Sequence, residues 1–262
     1  MNKFSIIVPT LNSYFILEDL VNSIKYQTWQ KWDVVFIDGG SSEKHINYLE
    51  EICKKDNRFS FFKQSKANKG IFGAMNQGIE VVDKNSWLIF LGSDDKFLNN
   101  YILEKLNLKI NKLDLNNIDL LICRGRYFDI KKNIFTRKAI FTDSKVDSFL
   151  NLDDYKKLVF KGFTPPHQST LIRGKSKILS NGYNAKYRLA GDLEFFCRLT
   201  KTNQLSIVNF PIDIVHISTG GISDRENFLR IKEVLRCYAK YFKFYFFFPF
   251  ILRYLNRLNQ IK

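Results

Sequence analysis

The amino-acid sequence predicts an α/β fold in which a doubly wound, mostly parallel sheet carries helices on both faces. Two observations favour this fold class. Short apolar runs of strand length alternate with longer segments that have helical spacing, which is typical of parallel sheets. Three of the apolar runs also end in small or acidic residues, and in such sheets ligands bind at the carboxyl ends of the strands.

The first hundred residues follow this alternation closely. The predicted strands cover residues 4–8, 33–38, 59–63 and 87–91, and the predicted helices cover residues 16–27, 43–55 and 71–82. The middle of the chain is less regular. There we predict a strand at residues 119–124, a second strand beside it at residues 134–141, and a third at residues 169–173 after a rigid loop.

The composition indicates a folded protein with an anionic partner. Of the 262 residues, 45% are hydrophobic, which argues against global disorder. The formal net charge is +15, and such an excess favours nucleic acid, nucleotide phosphates or an anionic membrane surface as the partner. The alternative is a Lys-rich composition that has no meaning for binding.

The cysteines and the N-terminal residues indicate the cellular compartment of the protein. The four cysteines lie far apart without a C-x-x-C pair, so we expect neither a zinc site nor a disulfide scaffold. Reduced thiols are typical of the cytoplasm. The first nine residues hold too short an apolar run for a signal peptide, and no stretch of about twenty apolar residues predicts a membrane span. We therefore expect a cytoplasmic protein.

The most informative stretch is residues 87–95, where an apolar run breaks at Gly92 and presents Asp94 and Asp95. Two carboxylates at the carboxyl edge of a sheet suit a hard cation. The small residues Gly92 and Ser93 leave room for a diphosphate to approach. An ordinary helix N-cap is the alternative, because Asp favours that position.

Two other strand ends are predicted to face the crevice at the carboxyl edge of the sheet, next to Asp94 and Asp95. Thr10 and Asn12 follow Pro9, and they either line the crevice or cap the helix that begins nearby. Asp38 ends the second strand, where it either accepts hydrogen bonds from a base or ribose or forms an Asx-turn before Gly39. If the three strand ends converge, they form one ligand site.

Successive motifs resemble those of the family 2 glycosyltransferases, which have the GT-A fold. The four motifs of the N-terminal half occupy residues 5–12, 34–42, 68–78 and 88–95. Residues 190–199 resemble the acidic helix motif of that family. His216 with residues 220–223 resembles the segment that often closes the site in bacterial polysaccharide members. The resemblance implies one domain at residues 1–224, with a nucleotide-sugar half at 1–100 and an acceptor half at 101–224.

The resemblance also implies roles for single residues. Asp95 would bind a divalent metal, Mn²⁺ or Mg²⁺, with His216 as a third contact, and Asp94 would hold the ribose or orient the site. Asp192 would be the general base of a single inverting displacement without a covalent enzyme intermediate. The donor-binding residues implied in this way are Pro9, Thr10, Asn12, Asp38, Lys69, Gly70, Asn76, Ser93 and Asp94.

Several of these residues have a structural alternative. Asp192 is also suited to be an N-cap after Gly191, and a lone histidine near a strand end, such as His216, is often structural. His167 lies in the loop before the predicted strand at residues 169–173. It either contacts the acceptor or a phosphate, or it is bonded to the backbone.

Two positions depart from the family pattern. Close relatives often carry Asp where Asn68 and Gly73 stand. This segment is expected near the donor sugar and the diphosphate, so the departure leaves the identity of the donor open. Because of this departure, a family relative that binds its ligand but does not catalyse transfer is a further alternative.

Residues 225–262 form a separate basic tail with nine Lys or Arg and two Glu. The tail is dense in aromatic residues, and Pro249 is expected to kink or break a helix there. A basic, aromatic-rich amphipathic segment suits the surface of an anionic membrane. The alternative is a terminal helix that packs on the core.

These features together predict an inverting glycosyltransferase that transfers a hexosyl or N-acetylhexosaminyl group. The family resemblance implies a UDP-sugar donor and a lipid-linked saccharide acceptor on the cytoplasmic face of the membrane, in lipopolysaccharide or capsule-like biosynthesis. A nucleotidyltransferase is an alternative, although it needs a Gly-rich loop that residues 9–12 do not provide. A protein that binds anions or nucleic acid is a third hypothesis, but no nucleic-acid motif is present and no such partner is expected.

Overall fold

The computed structural model describes residues 1–113, 117–129, 132–220 and 226–259. Within these ranges, ten strands form one sheet in the order β3-β2-β1-β4-β9-β6-β10-β5, with β7 beside β6 and β8 beside β10. The strands are β1 (Phe4–Thr10), β2 (Trp32–Asp38), β3 (Phe59–Lys63), β4 (Trp87–Phe90), β5 (Lys96–Phe97), β6 (Leu120–Asp129), β7 (Ile134–Ala139), β8 (Ser148–Leu150), β9 (Thr170–Arg173) and β10 (Ile207–Ser218).

The two halves of the sheet differ in strand direction. The first four strands pair in parallel, as the alternation of strands and helices predicts. Strand β9 then lies antiparallel between β4 and β6 and so joins the halves. Strand β7 runs antiparallel beside β6, as predicted, but it pairs with residues 125–129, where β6 continues beyond the predicted strand at residues 119–124. Strand β10 is parallel to β6.

Helices cover both faces of the sheet. They are α1 (Leu17–Lys25), α2 (Glu43–Lys55), α3 (Gly70–Val81), α4 (Ile102–Lys112), α5 (Leu152–Phe160), α6 (Gly191–Leu199), α7 (Asn227–Phe242) and α8 (Phe247–Asn259). One apolar cluster receives the buried residues of α1, α2 and α4, for example Leu20 and Leu106. The cluster on the opposite face receives those of α3, α5, α6 and α7, for example Met75 and Phe196.

Helix α3 approaches β1 so closely that Gly78 is needed at the contact. A Cβ atom at Gly78 would overlap the Cγ2 atom of Ile7, which is fully buried in β1. Overlap with a close-packed core side chain forces it out of its rotamer or shifts the backbone. The sequence of α3 therefore sets how near the helix lies to the strand that carries Pro9 and Thr10.

The C-terminal segment divides into two parts. Helix α7 packs into the core through Val234 and Tyr238, among others. For this part of the tail, the alternative of a helix that packs on the core is therefore correct. The chain then breaks at Lys243, which has a φ of 49°. Pro249 lies in the first turn of α8, where a missing backbone N–H disturbs no helical bond. None of the described helices is both long and apolar enough to cross a bilayer.

We expect Gly78→Ala to lower the free energy of unfolding by about 1–3 kcal/mol, because the added methyl group overfills the contact with Ile7. The measurement is chemical denaturation followed by circular dichroism. Glu80→Ala, on the exposed side of the same helix, is the control and should change the value by less than about 0.5 kcal/mol. Equal stability of Gly78→Ala and wild type would contradict the close packing of α3 on β1.

Candidate functional site

The loops after β1, β2 and β4 are joined by hydrogen bonds, so the three strand ends converge as the sequence predicts. The backbone N–H of Asn12 donates to Ser41 Oγ at 2.8 Å, and Asn12 Oδ1 accepts from the backbone N–H of Ser42 at 2.8 Å. Ser93 Oγ donates to the carbonyl oxygen of Pro9 at 3.2 Å. Helix α1 begins after Ile16, so neither Thr10 nor Asn12 caps it.

Asp38 forms the Asx-turn that the sequence leaves as an alternative. Its Oδ2 atom accepts from the backbone N–H groups of Gly40 and Ser41, both at 3.0 Å. Its Oδ1 atom is buried and lies 3.7 Å from Nε2 of the fully buried His45. Burial, partly opposed by Asp38, lowers the pKa of His45, which keeps the imidazole neutral. A contact between Asp38 and a nucleotide stays a prediction.

Asp95 is 2% exposed and is held from two directions. Its Oδ2 atom accepts from the backbone N–H of Gly92 at 2.7 Å, and its Oδ1 atom accepts from the backbone N–H of Ser218 at 3.1 Å. The hydroxyl of Ser218 donates to the carbonyl oxygen of Asp94. The end of β10 therefore fixes the loop that carries both carboxylates, and neither Asp caps a helix.

The described part of the protein offers the two carboxylates no balancing positive charge. Within the described ranges, neither Asp94 nor Asp95 forms an ion pair. Burial raises the pKa of both groups, and the proximity of Asp94 raises the pKa of Asp95 further. A bound cation would relieve both effects.

The geometry next to the carboxylates fits a cation shared with a diphosphate. A Cβ atom at Gly92 would lie 2.9 Å from Asp94 Oδ1 and 3.1 Å from Asp95 Oδ2. A larger residue at this position would therefore crowd both carboxylates. Asp95 accepts two backbone N–H groups and a hydrogen bond from the Gln168 side chain. The two oxygens of a carboxylate offer about four lone pairs, so one remains for a cation. Mg²⁺ and similar hard cations often bind through one or two carboxylates, with phosphate oxygens of the substrate completing the coordination.

His216 is not brought into a larger metal cluster. Among the residues that the structure describes, no group of three or more His, Cys, Asp or Glu side chains is arranged to hold a metal. The His216 ring stacks on Phe128 and meets Phe135 edge-on. Its role as a metal contact stays a prediction. Residues 221–223, which the resemblance places near it, lie outside the described ranges.

Asp192 lies in the first turn of α6, but it is not the N-cap. Ala190 occupies that position, without a side-chain cap. The negative charge of Asp192 favours a higher pKa for both His167 and Tyr183. The His167 Nε2 and Tyr183 Oη atoms are 2.9 Å apart. Gln168, the residue after His167, lies beside the Asp95 carboxylate. Asp95 and Asp192 thus both lie near the short 3₁₀ turn His167–Ser169.

His167 is buried and does not take the backbone-bonded form that the sequence offers as an alternative. Besides the Tyr183 hydroxyl, its ring meets Phe90 and Phe196. Burial lowers the pKa of the imidazole, and the Asp192 carboxylate opposes this shift in part. A neutral His167 therefore supports the turn between the two acidic positions. Its contact with an acceptor or phosphate stays a prediction.

Glu233 on α7 positions the start of α6. Its carboxylate accepts three backbone N–H groups, from Arg188 at 2.8 Å, Leu189 at 2.8 Å and Ala190 at 2.9 Å. These three donors stand directly before the helix that carries Asp192. Because a carboxylate accepts N–H groups strongly, this contact fixes the loop and the first turn together.

Glu194 faces away from Asp192, as its spacing on a helix predicts. It accepts from Lys240 Nζ at 2.9 Å and from the Tyr241 hydroxyl at 2.5 Å. Glu194 also lines a cavity of about 550 Å³ together with lysines that include Lys69. Lys69 itself precedes α3 and is exposed, and Gly70, the first residue of α3, has a φ of 77°.

Asn76 and Gly73 have structural roles in the third motif. The Asn76 amide donates to the carbonyl oxygen of Tyr183 at 2.8 Å and accepts its N–H at 2.6 Å. A contact of Asn76 with the donor stays a prediction. A Cβ atom at Gly73 would overlap the carbonyl of Asn68. The close turn of the chain at Asn68 therefore explains why Gly stands at residue 73.

Sequence reasoning missed Ser218, Gln168 and Glu233. Ser218 and Gln168 lie 123 and 73 residues from Asp95, and no local pattern links them to it. A signal existed for Glu233, because it is one of two acidic residues in an otherwise basic segment. A buried acid in such a segment is expected to have partners.

Residues 5–169 match the family described as glycosyl transferase family 2. A glycosyltransferase of Haemophilus influenzae is 27% identical over 245 residues, which cover 93% of this chain and 89% of that protein. A glycosyltransferase of Rickettsia bellii is 35% identical over 115 residues. That match covers 44% of this chain and 16% of the relative, so this chain spans only a small part of that protein's length.

Two solved structures show the same architecture. S. aureus TarS in complex with UDP-GlcNAc has a TM-score of 0.65 at 17% identity, over 90% of this chain and 66% of that one. The mannosyltransferase PcManGT from Pyrobaculum calidifontis, in complex with GDP-Man and Mn²⁺, has a TM-score of 0.62 at 12% identity, over 91% and 63%. The fold is therefore the predicted GT-A fold. The chain belongs to glycosyl transferase family 2.

We expect Glu233→Gln to lower the free energy of unfolding by about 1–3 kcal/mol, because at least one of the three N–H groups loses its acceptor. Lys232→Gln, at an exposed neighbouring position of α7, is the matched control and should leave stability unchanged. Thermal denaturation measures both variants. Equal stability of Glu233→Gln and wild type would contradict the role of Glu233 as the anchor of α6.

Proposed function

We propose that this protein is an inverting glycosyltransferase that moves a sugar from a UDP-sugar to a hydroxyl of a lipid-linked saccharide. The observation that carries the proposal is that Asp94 and Asp95, which form no ion pair within the described ranges, and Asp192 lie near the same turn at residues 167–169. A displacement of this kind needs one group that stabilises the departing diphosphate and another that accepts the proton of the attacking hydroxyl.

The donor side of the proposal rests on the three joined strand ends. Pro9, Thr10, Asn12, Asp38 and Ser93 belong to these strand ends, and we propose that they receive the nucleoside. Helix α3 begins at Gly70 without an acidic residue in its first turn and without a side-chain cap. The N–H groups of its first turn, with Lys69 beside them, favour the diphosphate.

The cation implied by the carboxylate pair is Mn²⁺ or Mg²⁺, since both suit oxygen ligands. When bound, it supplies positive charge to the leaving diphosphate oxygens. Support comes from the donor set at Asp94 and Asp95 and from the Mn²⁺ in the PcManGT complex. The choice of UDP follows the family resemblance and the UDP-GlcNAc complex of TarS.

Asp192 is proposed as the general base. The acceptor oxygen forms a bond to the anomeric carbon while the bond from that carbon to the diphosphate breaks, and the hydroxyl proton passes to the Asp192 carboxylate. The products are a glycosylated acceptor with inverted configuration and UDP. Burial lowers the pKa of His167 and raises the pKa of Tyr183, so His167 is a weaker base than a free imidazole and Tyr183 keeps its proton.

The membrane part of the proposal rests on α8. Phe247, Phe248, Ile251 and Leu255 recur at helical spacing and are all exposed, and Phe244 before them is 88% exposed. Exposed aromatic residues on a basic amphipathic helix suit the interface of an anionic bilayer. We propose that this row of side chains holds the enzyme on the cytoplasmic face of the membrane, where surface-polysaccharide intermediates are assembled.

We expect UDP to bind at least tenfold more tightly in the presence of Mn²⁺, and we expect Asp95→Asn to lose this gain, because a neutral amide ligates hard cations poorly. Isothermal titration calorimetry measures both. Asp83→Asn, which alters a surface aspartate beside Lys3, is the control. The proposal fails if chelation leaves the UDP affinity of wild type unchanged.

Asp192→Asn should reduce the rate of sugar transfer by a factor of about 10²–10⁴, the usual contribution of a general base. The affinity for UDP should stay within twofold, because Asp192 is assigned to the acceptor hydroxyl and not to the donor. The measurement is single-turnover transfer together with calorimetry of the same preparation. A variant that transfers at the wild-type rate would remove Asp192 from the mechanism.

Replacing Phe244, Phe248 and Ile251 together by Ser should weaken binding to phosphatidylglycerol vesicles at least tenfold, because about 0.8 kcal/mol is lost for each buried methylene group. Co-sedimentation with vesicles measures the effect. Phe149→Ser removes an equally exposed aromatic residue from β8 and is the control. Unchanged binding of the triple variant would place the membrane contact elsewhere or remove it.

A further inference from the structure

Three rings pack against one another on β6, β7 and β10, and we call Phe128, Phe135 and His216 the aromatic triad. The ring centroids of Phe128 and His216 are 5.7 Å apart in a stacked arrangement. Phe135 meets these two rings edge-on, at 5.4 and 5.0 Å. Phe128 and His216 are half-buried, whereas Phe135 is 50% exposed. The triad is thus a connected aromatic surface that reaches solvent.

The strand register puts the triad on one face of the sheet together with Ser218. Phe135 on β7 stands directly opposite Phe128 on β6, and Phe128 stands directly opposite Ser218 on β10. Side chains of directly paired residues, and of residues two apart on one strand, point to the same face of a sheet. His216 precedes Ser218 by two residues, so all four side chains share a face.

Ser218 connects the triad to the carboxylate pair. Its backbone N–H donates to Asp95 Oδ1 at 3.1 Å, and its hydroxyl donates to the carbonyl oxygen of Asp94. Because paired strands lie about 4.8 Å apart, Phe128 is one strand spacing away from the residue that binds Asp95. Hydrogen bonds and strand register therefore place the triad beside the proposed cation site.

The order of the strands places the triad away from the proposed nucleoside site. The loops assigned to the nucleoside follow β1 and β2, whereas the triad belongs to β6, β7 and β10. Strands β4 and β9 lie between these two groups. The loop that carries Asp94 and Asp95 runs from β4 to β5, which pairs with β10. A group bound on the triad therefore approaches the carboxylates from the side opposite to the nucleoside.

A charged pair beside the triad indicates the chemistry of its ligand. Arg126 Nε donates to Asp213 Oδ2 at 2.6 Å, and the Arg126 guanidinium lies 5.6 Å from the centre of the Phe135 ring. A lipid chain would bury this pair without offering it hydrogen bonds, which is costly. A sugar ring offers C–H groups to the negative face of an aromatic ring and hydroxyl groups to charged side chains. The combination of rings and charges therefore favours a saccharide.

We propose that the aromatic triad binds a sugar ring of the acceptor and so brings an acceptor hydroxyl to the carboxylate site. This inference rests on the proposed function and assigns the acceptor subsite to particular residues. Phe135 is the main contact, because it is the most exposed of the three rings. The pair of Arg126 and Asp213 forms hydrogen bonds with the hydroxyl groups at the edge of the sugar.

Saturation-transfer difference NMR tests the proposal with four probes, the methyl glycosides of glucose, galactose, mannose and N-acetylglucosamine. The protein is saturated with UDP and Mn²⁺, so that the nucleotide site is filled. Farnesol serves as the probe for a lipid chain. We expect at least one glycoside to receive saturation from wild type, most strongly at the C–H protons of its ring.

Phe135→Ala should reduce this signal at least fivefold, and Phe135→Tyr should keep at least half of it, because the aromatic ring is retained. Phe149→Ala is the matched control, since Phe149 is an exposed phenylalanine of β8 and pairs with the opposite end of β10. None of these variants should change the UDP affinity more than twofold. Thermal denaturation confirms that each variant is folded.

The proposal is overturned if no glycoside contacts wild type or if Phe135→Ala keeps the full signal. It is also overturned if Phe135→Ala loses only its contact with farnesol, since the triad would then hold a lipid chain. A loss of UDP affinity in Phe135→Ala overturns it as well, since the rings would then serve the donor. A failure of the proposed function has a different signature, because wild type would then not bind UDP with Mn²⁺, whatever the glycosides show.

Discussion

The structure depends on one buried carboxylate. Asp95 accepts an N–H from Gly92 within its own loop and another from Ser218 at the end of β10. The first bond shapes the loop after β4, and the second ties this loop to the last strand of the sheet. An acidic group so deeply buried is costly unless it is paired. A cation that binds Asp95 therefore also stabilises the junction between the two halves of the molecule.

The same constraint explains why glycine and serine surround the site. Gly92 must lack a side chain, because a Cβ atom would press on both carboxylates. Ser218 contributes its N–H to Asp95 and its hydroxyl to the backbone of Asp94. Ser93 connects the loop to Pro9. The loops after β1 and β4 and the end of β10 thus behave as one unit around the carboxylate pair.

The parallel half and its loops could be predicted because their signals are local. Apolar runs, helical spacing and turn residues predict β1 to β4 and α1 to α3, and α2 is predicted to the residue. The contacts of Asp95 with Ser218, of His167 with Tyr183 and of Glu233 with the loop before α6 join distant segments. No spacing rule encodes them, because they follow from how β9, β10 and α7 pack. The sequence likewise does not decide whether α7 packs on the core or on a membrane, since its buried face is short and includes charged residues.

Diffraction from crystals grown with UDP and Mn²⁺, recorded with anomalous scattering from manganese, would show directly whether Asp95 holds a metal ion. We expect a manganese peak between about 2.0 and 2.6 Å from an oxygen of the Asp95 carboxylate, with the diphosphate of UDP on its other side. A bound UDP whose diphosphate lies away from Asp95, or a manganese peak in the cavity beside Glu194, would contradict it.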